Sequence, residues 1–123
     1  MYQRTDELDE ITAIVGKYYH AMVDANEAHL RDVFHPGASV IGNFDGALEF
    51  SSLDEFITST ADAKTGEGPF EYRIDNVNLV GDTAVVTVGG YSYGTWITDN
   101  LSFVKIDGKW RIVAKTFYAE PSE

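Results

Sequence analysis

Residues 98–115 read Thr98-Asp99-Asn100-Leu101-Ser102-Phe103-Val104-Lys105-Ile106-Asp107-Gly108-Lys109-Trp110-Arg111-Ile112-Val113-Ala114-Lys115. Apolar residues recur at every second position on both sides of Asp107-Gly108, a dipeptide that favours a two-residue type I′ turn. The stretch is therefore a β-hairpin. Such a turn pairs Ile106 with Lys109 and, counting outward without interruption, Asp99 with Thr116. One face then carries Ile97, Asp99, Leu101, Phe103, Trp110, Ile112, Ala114 and Thr116. The other carries Thr98, Asn100, Ser102, Arg111 and Lys115, with Trp96, Val113 and Phe117 among them. The first face is the more apolar and is assigned to the interior. Asp99 is its one clear acid deep in a strand. Lys105 shares the face near the turn, where its ammonium reaches water.

Working outward, the second half of the chain is β-rich. Strands are predicted at 71–80, 83–93, 95–106 and 109–119, with Gly81-Asp82 as the earlier turn. The first half starts with a helix over 6–25, where Leu8, Ile11, Val15, Tyr18 and Met22 form an apolar stripe. Asn26 caps a short second helix with Leu30, Val33 and Phe34, which ends before Pro36. A strand over 38–42, a turn at Asn43-Phe44-Asp45-Gly46 and a strand over 47–50 follow. Ser52-Leu53-Asp54-Glu55 is a capping box that opens a third helix, and Gly66-Glu67-Gly68-Pro69 breaks it. The order α-α-β-β-α-β-β-β-β describes an α+β domain with helices against a curved, mostly antiparallel sheet. Gly89-Gly90 inside a strand suggests a bulge or bend.

The length of 123 residues suits one domain, 1–123, with one core. The net charge of -11 would repel phosphate backbones and anionic lipid, so neither nucleic acid nor a membrane is an expected partner. No cysteine is present, which removes disulfides and thiol nucleophiles and fits a cytoplasmic setting. The N-terminus lacks the pattern of a signal peptide, and no apolar run approaches the ~20 residues that span a bilayer. The three histidines lack metal-ligand spacing on one face, and no phosphate-binding or nucleophile-elbow motif occurs. Neither a metal nor a cofactor is expected.

Several local patterns carry a resemblance. They are Tyr18-Tyr19-His20-Ala21-Met22, then Leu30-Arg31-Asp32-Val33-Phe34-His35-Pro36-Gly37-Ala38, and above all the hairpin of residues 98–115. With the element order, they resemble the NTF2-like (SnoaL-like, cystatin-like cone) superfamily over nearly the whole chain. Within it, the Phe-His-Pro and Trp-Arg-Ile-Val segments are similar to the subgroup named putative lumazine-binding. The resemblance implies a cone-shaped fold and a homodimer formed through the sheet. It does not imply one activity, because this cone hosts isomerases, cyclases, dehydratases, hydrolases and non-enzymes. In ketosteroid isomerase, a member of the superfamily, a helix tyrosine and a protonated strand aspartate form an oxyanion hole beside a separate carboxylate base. Tyr18 falls on that tyrosine, Asp99 on that aspartate and Gly42 on the base. The resemblance thus implies an oxygen-gripping pair without the residue that moves the proton.

Candidate residues follow from both readings. Tyr18 is either a core tyrosine with an incidental partner or a donor to a ligand oxygen. Asp99 on an apolar face needs a partner, which Tyr18, Arg73 or Lys115 can supply. His35, in the loop before Pro36, is a candidate base beside its structural role as a backbone partner. Asp45 is explained by its turn. Apolar walls are expected from Met22, Phe34, Val40, Phe56, Leu101, Phe103 and Ile112. The first functional expectation is a small apolar or aromatic ligand in the cone, extended to cofactor-free acid–base chemistry with Asp99 as acid and His35 as base. The alternative is a structural or interaction module that dimerises through an aromatic sheet face bearing Tyr91, Tyr93 and Trp96.

Overall fold

Ile11, Val15, Tyr18, Tyr19 and Met22 recur at intervals of three and four, so a helix brings them to one side. In the computed structural model, which describes residues 5–44, 46–62, 71–92 and 94–121, they are all buried on α1 (Thr5–Asp24). Leu8 extends the same stripe in sequence but is 39% exposed, a correction to the expected core. α2 (Glu27–Val33) starts where the Asn26 side chain accepts the His29 N–H at 3.1 Å. α3 (Leu53–Asp62) starts at the expected capping box: Ser52 Oγ accepts the Glu55 N–H, and a Glu55 carboxylate oxygen accepts the Ser52 N–H. Asp45, Tyr93 and the Gly66–Pro69 break lie outside the described residues.

Six strands form one sheet in the order β2-β1-β6-β5-β4-β3. They are β1 (Phe34–Phe44), β2 (Ala47–Ser52), β3 (Glu71–Val80), β4 (Thr83–Ser92), β5 (Thr95–Ile106) and β6 (Lys109–Ala119). Among the described residues, only β1 and β6 run parallel. β1 starts at Phe34, earlier than the expected 38, because Phe34 already pairs with Ile112. The element order agrees with the α+β cone read from the sequence.

The β5–β6 hairpin departs from the uninterrupted count at one residue. Asp107 and Gly108 take the positive φ values of a type I′ turn, and Ile106 pairs with Lys109 as expected. Phe103 pairs with Ile112, but Ser102 pairs with Ala114, so Val113 is an extra, bulged residue. Beyond it the pleat is inverted. Asp99 faces Phe117 rather than Thr116, and Lys115 and Ala119 turn inward while Thr116 and Tyr118 turn out. The interior assignment holds for Ile97, Asp99, Leu101, Phe103, Trp110 and Ile112 and fails for Ala114, which pairs with outward Ser102, and for Thr116.

Gly89 and Gly90 serve close approach rather than a bulge of their own strand; the extra residue is Asp75 on β3. A Cβ on Gly90 would stand 2.8 Å from the Tyr19 ring, and one on Gly89 2.5 Å from Trp96. The paired glycines thus let one aromatic ring lie flat on each side of the sheet.

Candidate functional site

Tyr18 and Tyr19 are consecutive on α1, yet both hydroxyls reach the same atom. They donate to Asp99 Oδ2 at 3.0 and 3.1 Å. The two rings meet edge-on at 4.9 Å, and Tyr19 is stacked on Tyr72 at 4.6 Å. Burial first, then the charge and hydrogen bond of Asp99, push the Tyr19 phenol far above its ordinary value, so it stays a donor. Asp99 is 1% exposed in the middle of β5, and its other oxygen, Oδ1, has no hydrogen-bond partner among the described residues.

Lys115 supplies the opposite charge. The Val113 bulge turns it inward to 5% exposure, with Nζ 3.9 Å from Asp99 Oδ1, an ion pair longer than a hydrogen bond. The ammonium lies 4.6 Å from the Phe56 ring centroid and 5.2 Å from those of Tyr18 and Phe117. Burial pulls the Lys115 amine below the ordinary lysine value, and the charges of Asp99 and Glu49 only partly oppose it.

These groups look into a cavity of about 270 Å³ between α1, α3 and the sheet. Tyr19, Met22, Val40, Phe56, Ile97 and Phe117 give it apolar walls, and Asp99 and Lys115 are its charged interior groups. Glu49 and Ser59, both exposed, stand at its rim.

The expected residues divide between this cavity and the closed core. Met22, Val40, Phe56 and Asp99 line the cavity. Tyr18 stands behind Asp99, fully buried, with its hydroxyl committed to that carboxylate and 3.5 Å from Met22 Sδ. Phe34, Leu101, Phe103 and Ile112 are packed shut in the core, not on the cavity wall. His35 is also away from the wall: its Nδ1 accepts the Gly37 N–H at 2.9 Å. Arg73 pairs with Asp75 rather than with Asp99. Sequence reading missed Tyr19 and Phe117, and it named Lys115 as a partner for Asp99 while placing it on the outer face. Tyr19 was within reach, since a core-facing helix stripe is wide enough to include position i+8 from Ile11. The inward turn of Lys115 and Phe117 was not, because nothing in the sequence marks Val113 as bulged.

Gly42 is buried, and the space that its side chain would occupy is filled. An added Cβ would lie 2.2 Å from the Phe117 carbonyl oxygen and 2.6 Å from its ring. The space at position 42 is therefore closed by Phe117. Among the described residues, no group of three or more His, Asp or Glu stands together as a metal site.

Comparison with known proteins agrees with the fold. The aldolase FrzH of Cladobotryum sp is 29% identical over 119 residues, covering 95% of this chain and 94% of the relative. The crystal structure of an NTF-2 like protein of unknown function from Silicibacter pomeroyi DSS-3 is 29% identical, with a TM-score of 0.91 over 97% of this chain and 100% of that one. An NTF2-like protein of unknown function from Shewanella baltica OS155, 21% identical, shares the fold with a TM-score of 0.89 over 99% of this chain and 100% of that one. Residues 6–118 match the family described as "Putative lumazine-binding", so the chain belongs to that family within the NTF2-like superfamily.

Proposed function

We propose that the cone binds a small, mainly apolar molecule bearing a carbonyl or hydroxyl group, and that Asp99 moves a proton on it without a cofactor. The observation that carries this reading is Asp99 Oδ1, a buried carboxylate oxygen with no hydrogen-bond partner among the described residues, on the wall of an otherwise apolar cavity. A buried polar atom of this kind is costly unless a ligand satisfies it. Tyr18 and Tyr19 hold Oδ2 and so fix the direction in which Oδ1 points. This arrangement differs from an oxyanion grip, because the phenols spend their hydrogens on Asp99. The carboxylate acts as proton acceptor toward the ligand, and His35 is left with its backbone role. The aldolase name of the relative supports a carbonyl substrate.

Thermal shift with a panel of small ketones and phenols tests the reading. At least one class raises the melting temperature of the wild type, and Asp99→Asn abolishes that rise while staying folded. A panel without any shift overturns the proposal.

A second reading rests on the outer face of the sheet, where Val85, Tyr91 and Tyr118 are 42%, 40% and 50% exposed. Such a patch suits a homodimer through the sheet. Light scattering is expected to give twice the chain mass for the wild type and the single-chain mass for Tyr118→Glu. A monomeric wild type removes this reading.

A further inference from the structure

We infer that Lys115 is an amine nucleophile that forms an iminium with the carbonyl carbon of an aldehyde or ketone bound in the cone. The inference rests on the reading of the cone as a pocket for a small carbonyl compound and adds a covalent step to it. Three observations carry it. First, Lys115 differs from the other lysines among the described residues. Lys17 and Lys109 each contact Asp32 at 2.6 Å, and Lys105 contacts Glu7 at 3.2 Å, all three toward solvent. Lys115 lies inside, on the cavity wall. Second, its closest carboxylate contact, 3.9 Å from Asp99 Oδ1, leaves Nζ without a short hydrogen bond to that acid. Third, Lys115 is 5% exposed among three aromatic rings, so its amine is withdrawn from bulk water. Burial acts in the same direction, lowering the affinity of the amine for its proton.

The step balances with the groups present. Asp99 Oδ1 first takes a proton from the Lys115 ammonium. The neutral Nζ adds to the carbonyl carbon, the C=O π pair moves to oxygen, and a proton passes from the new ammonium to that alkoxide to give the carbinolamine. Asp99 returns its proton to the carbinolamine hydroxyl, which leaves as water. Lysine ammonium plus carbonyl gives iminium plus water, with no change of oxidation state, and Asp99 is a carboxylate again. The iminium then withdraws electrons from the adjacent carbon, and Asp99 Oδ1 is placed to take the α-proton, leaving an enamine.

The test incubates the full chain with cyclohexanone or benzaldehyde at neutral pH, adds sodium cyanoborohydride, and maps adducts by peptide mass spectrometry. The expected result is reduced adduct on the Lys115 peptide ahead of all other lysines, and its loss in Lys115→Met and Lys115→Arg. Arginine keeps the charge without an amine, so it separates nucleophilicity from folding should the methionine variant fail to fold. Adduct confined to the other lysines, or spread evenly over all of them, overturns the inference. If the wild type shows a cyclohexanone thermal shift but no Lys115 adduct, the covalent step falls and the pocket stands. If neither shift nor adduct appears, both fall.

Discussion

Asp99→Ala is expected to lower unfolding free energy by about 3–5 kcal/mol near pH 7, the typical effect of removing one partner of a buried ion pair. The variant leaves Lys115 at 5% exposure without its counter-charge and strips two buried phenols of their shared acceptor. For a small domain with about 5–15 kcal/mol of total stability, that loss is severe. Asp99→Asn loses less, because its carbonyl oxygen still accepts from both tyrosines. The deficit also depends on pH. Asp99 raises the Lys115 pKa against the pull of burial, so its removal lowers that value further. Between that lowered value and the ordinary lysine value of 10.5, the unfolded chain binds more protons than the folded one. Stability therefore rises with pH across this window, and the Asp99→Ala deficit shrinks as Lys115 sheds its proton. Urea denaturation at several pH values measures both effects. A deficit below about 1 kcal/mol, the range of an exposed pair, would mean that Asp99 and Lys115 are solvated instead of buried together.

Gly42→Ala is the second substitution with a large expected effect. Its new methyl group would meet the Phe117 carbonyl oxygen at 2.2 Å. That oxygen is backbone of β6, and Gly42 pairs directly with Phe117 in the parallel β1–β6 ladder of the sheet. Neither side can yield without disturbing the join between the β1–β2 and β3–β6 parts of the sheet. Overpacking typically costs about 1–3 kcal/mol, and a clash with backbone belongs at or above the top of that range. Gly42→Asp adds a carboxylate beside a phenyl ring and is expected to be worse. A urea midpoint for Gly42→Ala within error of wild type would show that β1 and β6 are not in this register. The same crowding bears on chemistry. A side chain larger than hydrogen cannot be placed at position 42 without displacing Phe117, so a carboxylate introduced there would not reach the cavity by substitution alone.

The sequence and the structure agree where local signals decide the outcome. The Asp107-Gly108 turn, the Ser52–Glu55 capping box and the Asn26 cap each act over a few residues, and each appears as read. Asp99 was legible as a buried acid, because an apolar face with one carboxyl group is an unusual pattern. Its partners were legible only in part. Tyr18 was found, whereas Tyr19 was hidden by a stripe drawn too narrow. Lys115 was assigned to the wrong face, since alternation is read from a turn outward and a bulge breaks the count silently. The walls were misplaced for a related reason. Periodicity distinguishes inside from outside, but it does not distinguish a packed interior, where Phe103 and Ile112 lie, from a hollow one, where Ile97 and Phe117 lie.

The Val113 bulge gives β6 a change of parity along its length. Before it, even-numbered residues point inward; after it, odd-numbered ones do. The amine in the cone thus depends on the bulge as well as on the residue at position 115. The same chain paired without the bulge would keep every residue, lysine included, yet send that charge to the outer surface, whereas deletion of Val113 would remove the bulge and leave Lys115 inside. Gain or loss of a bulge at this one place is therefore a route by which cones of the same outline gain or lose an interior cation, with no exchange of side chains.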